Sequence, residues 1–194
     1  PASCTVLKAR PADDSETPSY APAPIDAVIE TIRREKPALV FAPHVETSAG
    51  IVLPLKYMRS VAAAVHESGG LFVLDCVASG AIWVDMQAAG VDILISAPQK
   101  GWSASPCAAL VMMSNRARSA IDATQSSSFA CDLKRWLGIM EAYEGGGHAY
   151  HATMPTDALV KFRDTMKETA ARGFEVARRA RDVVHGASSG ESTR

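Results

Sequence analysis

The stretch that decides the fold is residues 71–100, which read LFVLDCVASG AIWVDMQAAG VDILISAPQK. It begins with an apolar run at 71–74 and ends with a second one at 91–96, shortly before Gln99 and Lys100. Between the two runs, residues 85–89 have a weak helical pattern. Short apolar runs without a polar face predict strands that are covered on both sides. The stretch therefore predicts two strands of one buried sheet, joined by a crossover segment.

The same alternation of apolar runs and helical patterns continues on both sides of this stretch. Apolar side chains recur at helical spacing before Pro37 and again after Pro54, and further short apolar runs lie between and beyond them. The pattern predicts helices over 25–36, from Pro54 to Gly69, over 132–144 and from Thr156, which would cap the last one, and strands over 38–42 and 108–113. Strands that alternate with helices indicate βαβ units. The predicted fold class is α/β, with a mostly parallel sheet flanked by helices.

The composition is typical of a folded chain with small or neutral partners. Of the 194 residues, 47% are hydrophobic and 21% are charged, which excludes the disordered and collagen-like classes. A formal net charge of -1 gives no basic field for nucleic acid or for an anionic membrane. The apolar runs are far shorter than the roughly 20 residues that cross a bilayer. The four cysteines form no Cys-x-x-Cys, which favours a reducing compartment, the cytoplasm or an organelle such as the peroxisome.

Chemically useful side chains follow three of the predicted strands. The segment 44–50 reads HVETSAG, Asp75 comes directly after the run at 71–74, and Lys100 follows the run at 91–96. Ligands of open α/β sheets bind outside the carboxyl ends of the strands. One edge of the sheet is therefore expected to bring together a carboxylate, a lysine and hydroxyl groups.

Asp75 and Lys100 together suit pyridoxal phosphate. At a buried strand end a carboxylate needs a cationic partner, and desolvation lowers the pKa of a lysine towards the range in which its amine attacks a carbonyl. The lysine would bind the cofactor covalently, and the aspartate would keep the pyridine nitrogen protonated. The composition alone also allows an exposed loop lysine and a turn-forming aspartate.

Four blocks in one order decide between these readings, because they resemble the class V aminotransferases, most closely the alanine:glyoxylate and serine:glyoxylate (serine:pyruvate) branch. Residues 44–50 are similar to His-x-Glu-Thr/Ser-Ser-Thr-Gly, and 75–79 to Asp-x-Val-x-Ser. Residues 96–100, SAPQK, resemble Ser-Gly-Ser-Gln-Lys, and 150–155, YHATMP, resemble Tyr-His-x-Thr-x-Pro. The resemblance implies the large-domain portion of the fold type I pyridoxal-phosphate enzymes.

The resemblance also assigns roles to residues of the first three blocks. It implies that Thr47 contacts the phenolic oxygen of the cofactor, that Asp75 binds the pyridine nitrogen and that Val77 packs on the ring. Gln99 would touch the phosphate, and Lys100 would bind the cofactor covalently and later abstract the α-proton of the substrate.

The fourth block is implied to act on a second subunit. Tyr150 and Thr153 would reach across a homodimer to the partner's cofactor phosphate. Pro98 departs from the family pattern, because it replaces a glycine or small hydroxyl residue, so one hydrogen bond near the cofactor is expected to be missing. The implied reaction is transamination between a small amino acid, alanine or serine, and a 2-oxo acid, glyoxylate or pyruvate.

Two alternatives share the same residues. One is a truncated, non-catalytic remnant of such an enzyme, because the chain opens at Pro1 without an initiator Met, and a small domain with a substrate-binding arginine is expected to be absent. The other is a pyridoxal-phosphate lyase of the same superfamily, of which a desulfurase would need a reactive cysteine. The five histidines are not spaced as metal ligands, so no metal site is predicted.

The organisation along the chain follows from the same patterns. A proline-rich loop or linker is predicted over 1–24, and the cofactor-binding core over 25–155. A long helix over 156–185 would lead towards the missing small domain, and 186–194 would be a disordered tail.

Overall fold

The computed structural model describes residues 3–80 and 82–173. Its strands are β1 (Arg10–Pro11), β2 (Tyr20–Ala21), β3 (Leu39–Pro43), β4 (Val45–Glu46), β5 (Ile51–Val52), β6 (Leu71–Asp75), β7 (Ile93–Ser96) and β8 (Leu110–Met113). Its helices are α1 (Ile25–Glu35), α2 (Leu55–Glu67), α3 (Met86–Ala89), α4 (Asn115–Asp122), α5 (Leu133–Glu144) and α6 (Thr156–Arg172), and a single 3₁₀ turn covers Val77–Ser79. The chain is an α/β protein, as predicted.

The central sheet has four strands in the order β3-β6-β7-β8. The strands β3, β6 and β7 are parallel, and β8 is antiparallel to β7. Pro43 pairs with Asp75, and Asp75 pairs with Ile95, so the three parallel strands end at the same level. We call this side of the sheet the carboxyl edge.

The core lies on one face of this sheet. Phe72 and Leu74 of β6 and Leu94 of β7 belong to one buried cluster with residues of α1, α2 and α3, in which α2 contacts β6 and the other two helices pack on α2. In α2, the residues Met58, Val61 and Val65 recur at helical spacing, which gives the helix one continuous apolar face. Burial of this face holds the helices against the sheet. The carboxyl edge is left to the segments that follow the strands.

Most elements agree with the sequence patterns, and several details differ. The strand predicted at 38–42 lies at Leu39–Pro43, and Pro155, not Thr156, is the N-cap residue of α6. The segment 1–24 contains the two-residue pairing of β1 with β2, which its prolines allow at a sheet edge. The helix α4 was not predicted; Ser114 caps it by accepting the amide hydrogen of Ala117. This helix has few apolar residues, so its sequence lacks the apolar stripe from which the other helices are predicted.

The predicted helix over 156–185 begins at Thr156 and is helical to Arg172, followed by Gly173 with φ 82°. The remainder of that prediction and the predicted tail at 186–194 lie outside the described residues. Among residues 3–80 and 82–173, no helix has the length and apolar character needed to cross a membrane.

Candidate active site

Asp75 lies at the end of β6 and is exposed at the carboxyl edge. Its Oδ1 accepts the amide hydrogen of Val77 at 2.9 Å, which starts the 3₁₀ turn over Val77–Ser79. The prediction of a buried carboxylate at this strand end is therefore wrong, because the sheet opens to solvent here. Val77 is half-buried beside it.

Thr47 lies in the next segment along this edge, in the turn between β4 and β5. The turn is closed by Gly50 at φ 65°, a conformation that favours glycine. Glu46 accepts the amide and hydroxyl hydrogens of Ser48, at 3.1 and 2.6 Å, and these bonds lower the pKa of the Glu46 carboxyl. Thr47 itself is exposed.

A buried hydrogen bond joins the Thr47 segment to the Asp75 segment. Nδ1 of His44 and Oγ of Ser79 are 2.7 Å apart, and the two residues are only 3% and 5% exposed. The amide of His44 also donates to the carbonyl of Asp75 at 2.8 Å. Burial lowers the pKa of the His44 imidazole, which favours its neutral form. The sequence patterns do not reveal this contact, although His44 opens one block and Ser79 closes another.

Lys100 lies in a tight turn after β7, which we call the lysine turn, residues 98–104. Pro98 is fully buried at its start, whereas Gln99 and Lys100 are exposed. The amide of Ser103 donates to the carbonyl of Lys100, and the amide of Ala104 donates to that of Pro98, both at 3.0 Å. The predicted desolvation of the Lys100 amine is wrong, since the turn presents this side chain to solvent.

The lysine turn packs directly against the turn that follows Asp75. A Cβ atom placed on Gly101 would lie 1.9 Å from the carbonyl oxygen of Gly80, which is shorter than any real contact. Only glycine allows the two backbones to approach this closely. The carboxyl edge thus brings the Asp75 and Lys100 segments into contact, as the strand pattern predicted.

Tyr150 and Thr153 form a second cluster. Their hydroxyl oxygens are 3.0 Å apart, and Tyr150 is 77% exposed. His151 between them makes a hydrogen bond from Nε2 to the carbonyl of Phe129 at 2.8 Å and packs against the rings of Phe129 and Trp136. Within the described ranges, no hydrogen bond joins Tyr150 or Thr153 to the carboxyl edge. The contacts described thus link the segments of five of the seven predicted site residues, and they link Tyr150 with Thr153.

The group of five fits the chemistry of pyridoxal phosphate. A carboxylate at Asp75 suits a protonated pyridine nitrogen, and a primary amine at Lys100 suits an aldehyde. The amide of Gln99 and the hydroxyl of Thr47 are donors for the anionic and phenolic oxygens, and Val77 offers an apolar contact. These five side chains lie on segments that contact one another. His44 bonds to Ser79, and Gly101 packs on Gly80.

Two hollows on the described surface lie apart from the predicted site residues. One hollow of about 390 Å³ lies on the outer face of α2, beside Lys56 and Arg59, and another of about 520 Å³ lies beside Asp132 and Arg135 at the start of α5. Neither contains a predicted site residue. In the part of the chain that the structure describes, no group of three or more potential metal ligands lies together.

The lysine and the aspartate follow adjacent parallel strands, at the edge where open α/β sheets bind their ligands. Residues 15–185 match the family model for aminotransferase class-V. The chain belongs to the class V aminotransferase family, whose members depend on pyridoxal phosphate.

Relatives and solved structures agree with this assignment. The chain is 31% identical to alanine–glyoxylate aminotransferase of Felis catus over 170 residues, which are 83% of this chain and 40% of the relative. It is 31% identical to 2-aminoethylphosphonate–pyruvate transaminase of Paraburkholderia phymatum, covering 86% of this chain and 44% of that protein. The crystal structure of alanine–glyoxylate aminotransferase from Nostoc sp. matches with a TM-score of 0.66 and 26% identity, over 79% of this chain and 40% of that one. The chain thus spans about 40% of the length of these relatives.

Proposed function

We propose that this protein transfers an amino group between a small amino acid and a 2-oxo acid, using pyridoxal phosphate bound at the carboxyl edge. The observation that carries the proposal is the packing of the Lys100 segment on the Asp75 segment, where Gly101 meets the Gly80 carbonyl. The Asp75 carboxylate and the Lys100 amine are needed at opposite ends of one cofactor ring. The contact between their segments supports the proposal that both bind the same cofactor. We include residues 25–155 in the proposed cofactor-binding core.

Each residue at this edge has a proposed part in binding or proton transfer. When bound, pyridoxal phosphate supplies an aldehyde that takes up an amino group and a ring that accepts an electron pair. The Nζ atom of Lys100 would hold the cofactor through its aldehyde carbon and, when free, would accept the α-proton of the substrate. The Asp75 carboxylate holds the proton on the pyridine nitrogen, because an anion beside that nitrogen favours its charged form.

The remaining three residues orient the cofactor. Thr47 donates its hydroxyl hydrogen to the phenolic oxygen, Gln99 donates its amide hydrogens to the phosphate, and Val77 packs on the ring. When the reacting groups are oriented before the reaction begins, less conformational freedom is lost at the transition state. Such orientation lowers the activation free energy by several kcal/mol.

The proposed substrates are alanine or serine as amino donor and glyoxylate or pyruvate as acceptor. The relatives support this choice, because two are named for transfer between an amine and glyoxylate or pyruvate. Alanine and glyoxylate are the first pair to test. The phosphonate named for the Paraburkholderia phymatum relative is the competing donor.

We further propose that the protein acts as a homodimer, in which Tyr150 and Thr153 contact the partner's cofactor phosphate. The exposure of Tyr150 and the absence of a hydrogen bond from either residue to the carboxyl edge, among the residues described, support a contact outside their own subunit. Exposed apolar side chains lie nearby: the ring of Phe129 packs against His151, and Met140 and Tyr143 are on α5, shortly before Tyr150 in the sequence. An apolar surface of this kind favours association.

The compartment is proposed to be a reducing one, the cytoplasm or an organelle. All four cysteines, at positions 4, 76, 107 and 131, are free thiols in the described structure, which supports this proposal. Cys76 follows Asp75 directly, yet it is buried and its burial raises the pKa of its thiol. A buried, protonated thiol disfavours the desulfurase alternative at this cysteine.

A product assay tests the proposed reaction. The protein is incubated with pyridoxal phosphate, alanine and glyoxylate, and pyruvate and glycine are measured. Transamination gives the two products in equal amounts and needs both substrates, whereas a lyase releases ammonia without an acceptor. The Lys100→Ala variant should form neither product. Absence of both products in the wild-type protein, with cofactor bound, would favour the non-catalytic remnant.

A further inference from the structure

The lysine turn contains a residue in a costly backbone conformation. Ser103 has φ 55°, which is uncommon for any residue other than glycine. Such conformations persist where the surrounding contacts determine them. Two backbone hydrogen bonds close this turn, but both join residues of the turn itself, so the turn needs contacts from outside to fix its position.

Trp102 supplies such contacts through its ring, which meets two other aromatic rings. Its ring centre is 5.0 Å from that of Trp83 with the planes at 79°, and 5.7 Å from that of Phe162 with the planes at 80°. Edge-to-face arrangements at these distances are attractive. Trp102 therefore connects the lysine turn to the segment after Gly80 and to α6.

The position of Trp102 makes these contacts relevant to Lys100. Trp102 lies two residues after Lys100, between Gly101, which touches Gly80, and Ser103, which has the unusual φ. Phe162 is only 6% exposed, so the inner side of the stack is firmly packed. The Lys100 side chain is exposed, so the backbone of the turn sets the point from which Nζ can reach.

We propose that Trp102 is a positioning residue for Lys100, holding the lysine turn through Trp83 and Phe162 so that Nζ reaches the cofactor aldehyde. The inference rests on the proposed function for the role of Lys100. The sequence pattern gives Trp102 no role, because the stack forms only when three segments distant in sequence fold together.

The first experiment reads the turn without any cofactor. Hydrogen exchange is measured at the amides of Ser103 and Ala104 in the wild-type protein and in Trp102→Leu and Trp102→Phe. Loss of the stack in Trp102→Leu should speed exchange about tenfold, since the bonds to the Lys100 and Pro98 carbonyls open more often. Trp102→Phe keeps an aromatic ring and should restore most of the protection. Tyr20→Leu, an exposed aromatic on β2, is the matched control and should change nothing.

The second experiment reads the reaction of Lys100. Nζ and the aldehyde carbon of pyridoxal phosphate form a C=N bond, the aldehyde oxygen leaves as water, and borohydride then adds hydride to that carbon. The rate of adduct formation on Lys100, followed by mass, should fall about tenfold in Trp102→Leu and recover in Trp102→Phe, because small displacements of reacting atoms slow a reaction strongly.

The outcomes separate this inference from the proposed function. Wild-type rates of exchange and adduct formation in a folded Trp102→Leu protein overturn the inference and leave the proposed function intact. An unmodified Lys100 in the wild-type protein overturns the proposed function, while the exchange rates still decide whether Trp102 holds the turn. If Trp102→Leu does not fold, Trp83→Leu removes the more exposed ring of the same stack, and the same two rates decide.

Discussion

His44 and Ser79 show how a single buried hydrogen bond organises the candidate site. Their 2.7 Å contact joins the segment that carries Thr47 to the turn that follows Asp75. A buried polar atom without a partner costs more free energy than the hydrogen bond itself gains. The bond therefore constrains both segments, and its loss is expected to affect stability and the site together.

We predict that Ser79→Ala lowers the free energy of unfolding by about 1–3 kcal/mol, because it leaves Nδ1 of His44 without its partner in a buried environment. Urea denaturation followed by far-UV circular dichroism measures the change. Ser119→Ala, which removes an exposed hydroxyl on α4, is the control and should stay within about 0.5 kcal/mol of the wild type. Equal stabilities of Ser79→Ala and the control would contradict the role given to this bond.

His44 also predicts a dependence of stability on pH. Burial lowers the pKa of His44 in the folded state below its ordinary value of 6.5. Between the two values the unfolded chain binds more protons than the folded one, so the free energy of unfolding increases with pH. This contribution is complete above pH 6.5 and is lost as the pH falls through the folded-state pKa. Thermal unfolding between about pH 5 and 8 should show this slope, and His44→Gln should flatten it. The same slope in both proteins would refute the assignment.

At the scale of elements, the contact between the lysine turn and the Asp75 turn requires glycine at position 101. Gly101→Ala places a methyl group 1.9 Å from the Gly80 carbonyl oxygen, so one of the two backbones has to shift. We predict a loss of stability of about 1–3 kcal/mol, as for other overpacked positions, together with a weaker affinity for pyridoxal phosphate. Absorbance titration with the cofactor measures the second effect.

Gly138 in α5 is the matched control, because nothing lies within 4 Å of a Cβ atom placed there. Gly138→Ala should stabilise the protein by about 0.5–1 kcal/mol, as is usual in a helix interior, and leave cofactor affinity unchanged. If the two alanine variants behave alike, the close approach of Gly101 to Gly80 does not exist in solution.

The elements with a strong apolar pattern could be predicted from the sequence, and those that depend on distant contacts could not. The strands β3, β6 and β7 and the helix α2 follow from runs and spacing that each segment carries by itself. The antiparallel direction of β8 depends on the path of the chain through the turn at 98–104. The spacing of apolar residues contains no information about that path. The conformation of Ser103 and the stack around Trp102 likewise require segments far apart in sequence.

The same distinction holds for the candidate site. Asp75 and Lys100 could be placed at one edge because parallel strands end together. Their burial could not be judged, since the apolar residues before them give no information about what covers the strand ends. Whether Tyr150 and Thr153 act on a second subunit stays a prediction.

At the scale of the whole molecule, the exposed apolar groups of α5 predict self-association. Met140 and Tyr143 are exposed, and they share one helix face with the half-buried Trp136, close in sequence to the block that carries Tyr150. Met140→Glu and Tyr143→Glu should convert a wild-type dimer into monomers in sedimentation velocity experiments, because a buried charge opposes association.

Val160→Glu, at an exposed apolar position of α6, is the control and should leave the dimer unchanged. A monomeric wild-type protein across the accessible concentrations would remove the basis for the role of Tyr150 and Thr153. Dissociation by Val160→Glu alone would place the interface elsewhere.

The attachment of the cofactor to Lys100 is the central claim, and one measurement tests it most directly. The wild-type protein is treated with pyridoxal phosphate and then borohydride, digested, and the modified peptide is identified by mass spectrometry. The structure and the family predict one dominant pyridoxyl group on Lys100, which is lost in Lys100→Ala. Modification spread evenly over other lysines such as Lys56 and Lys134, or no modification at all, would contradict the account.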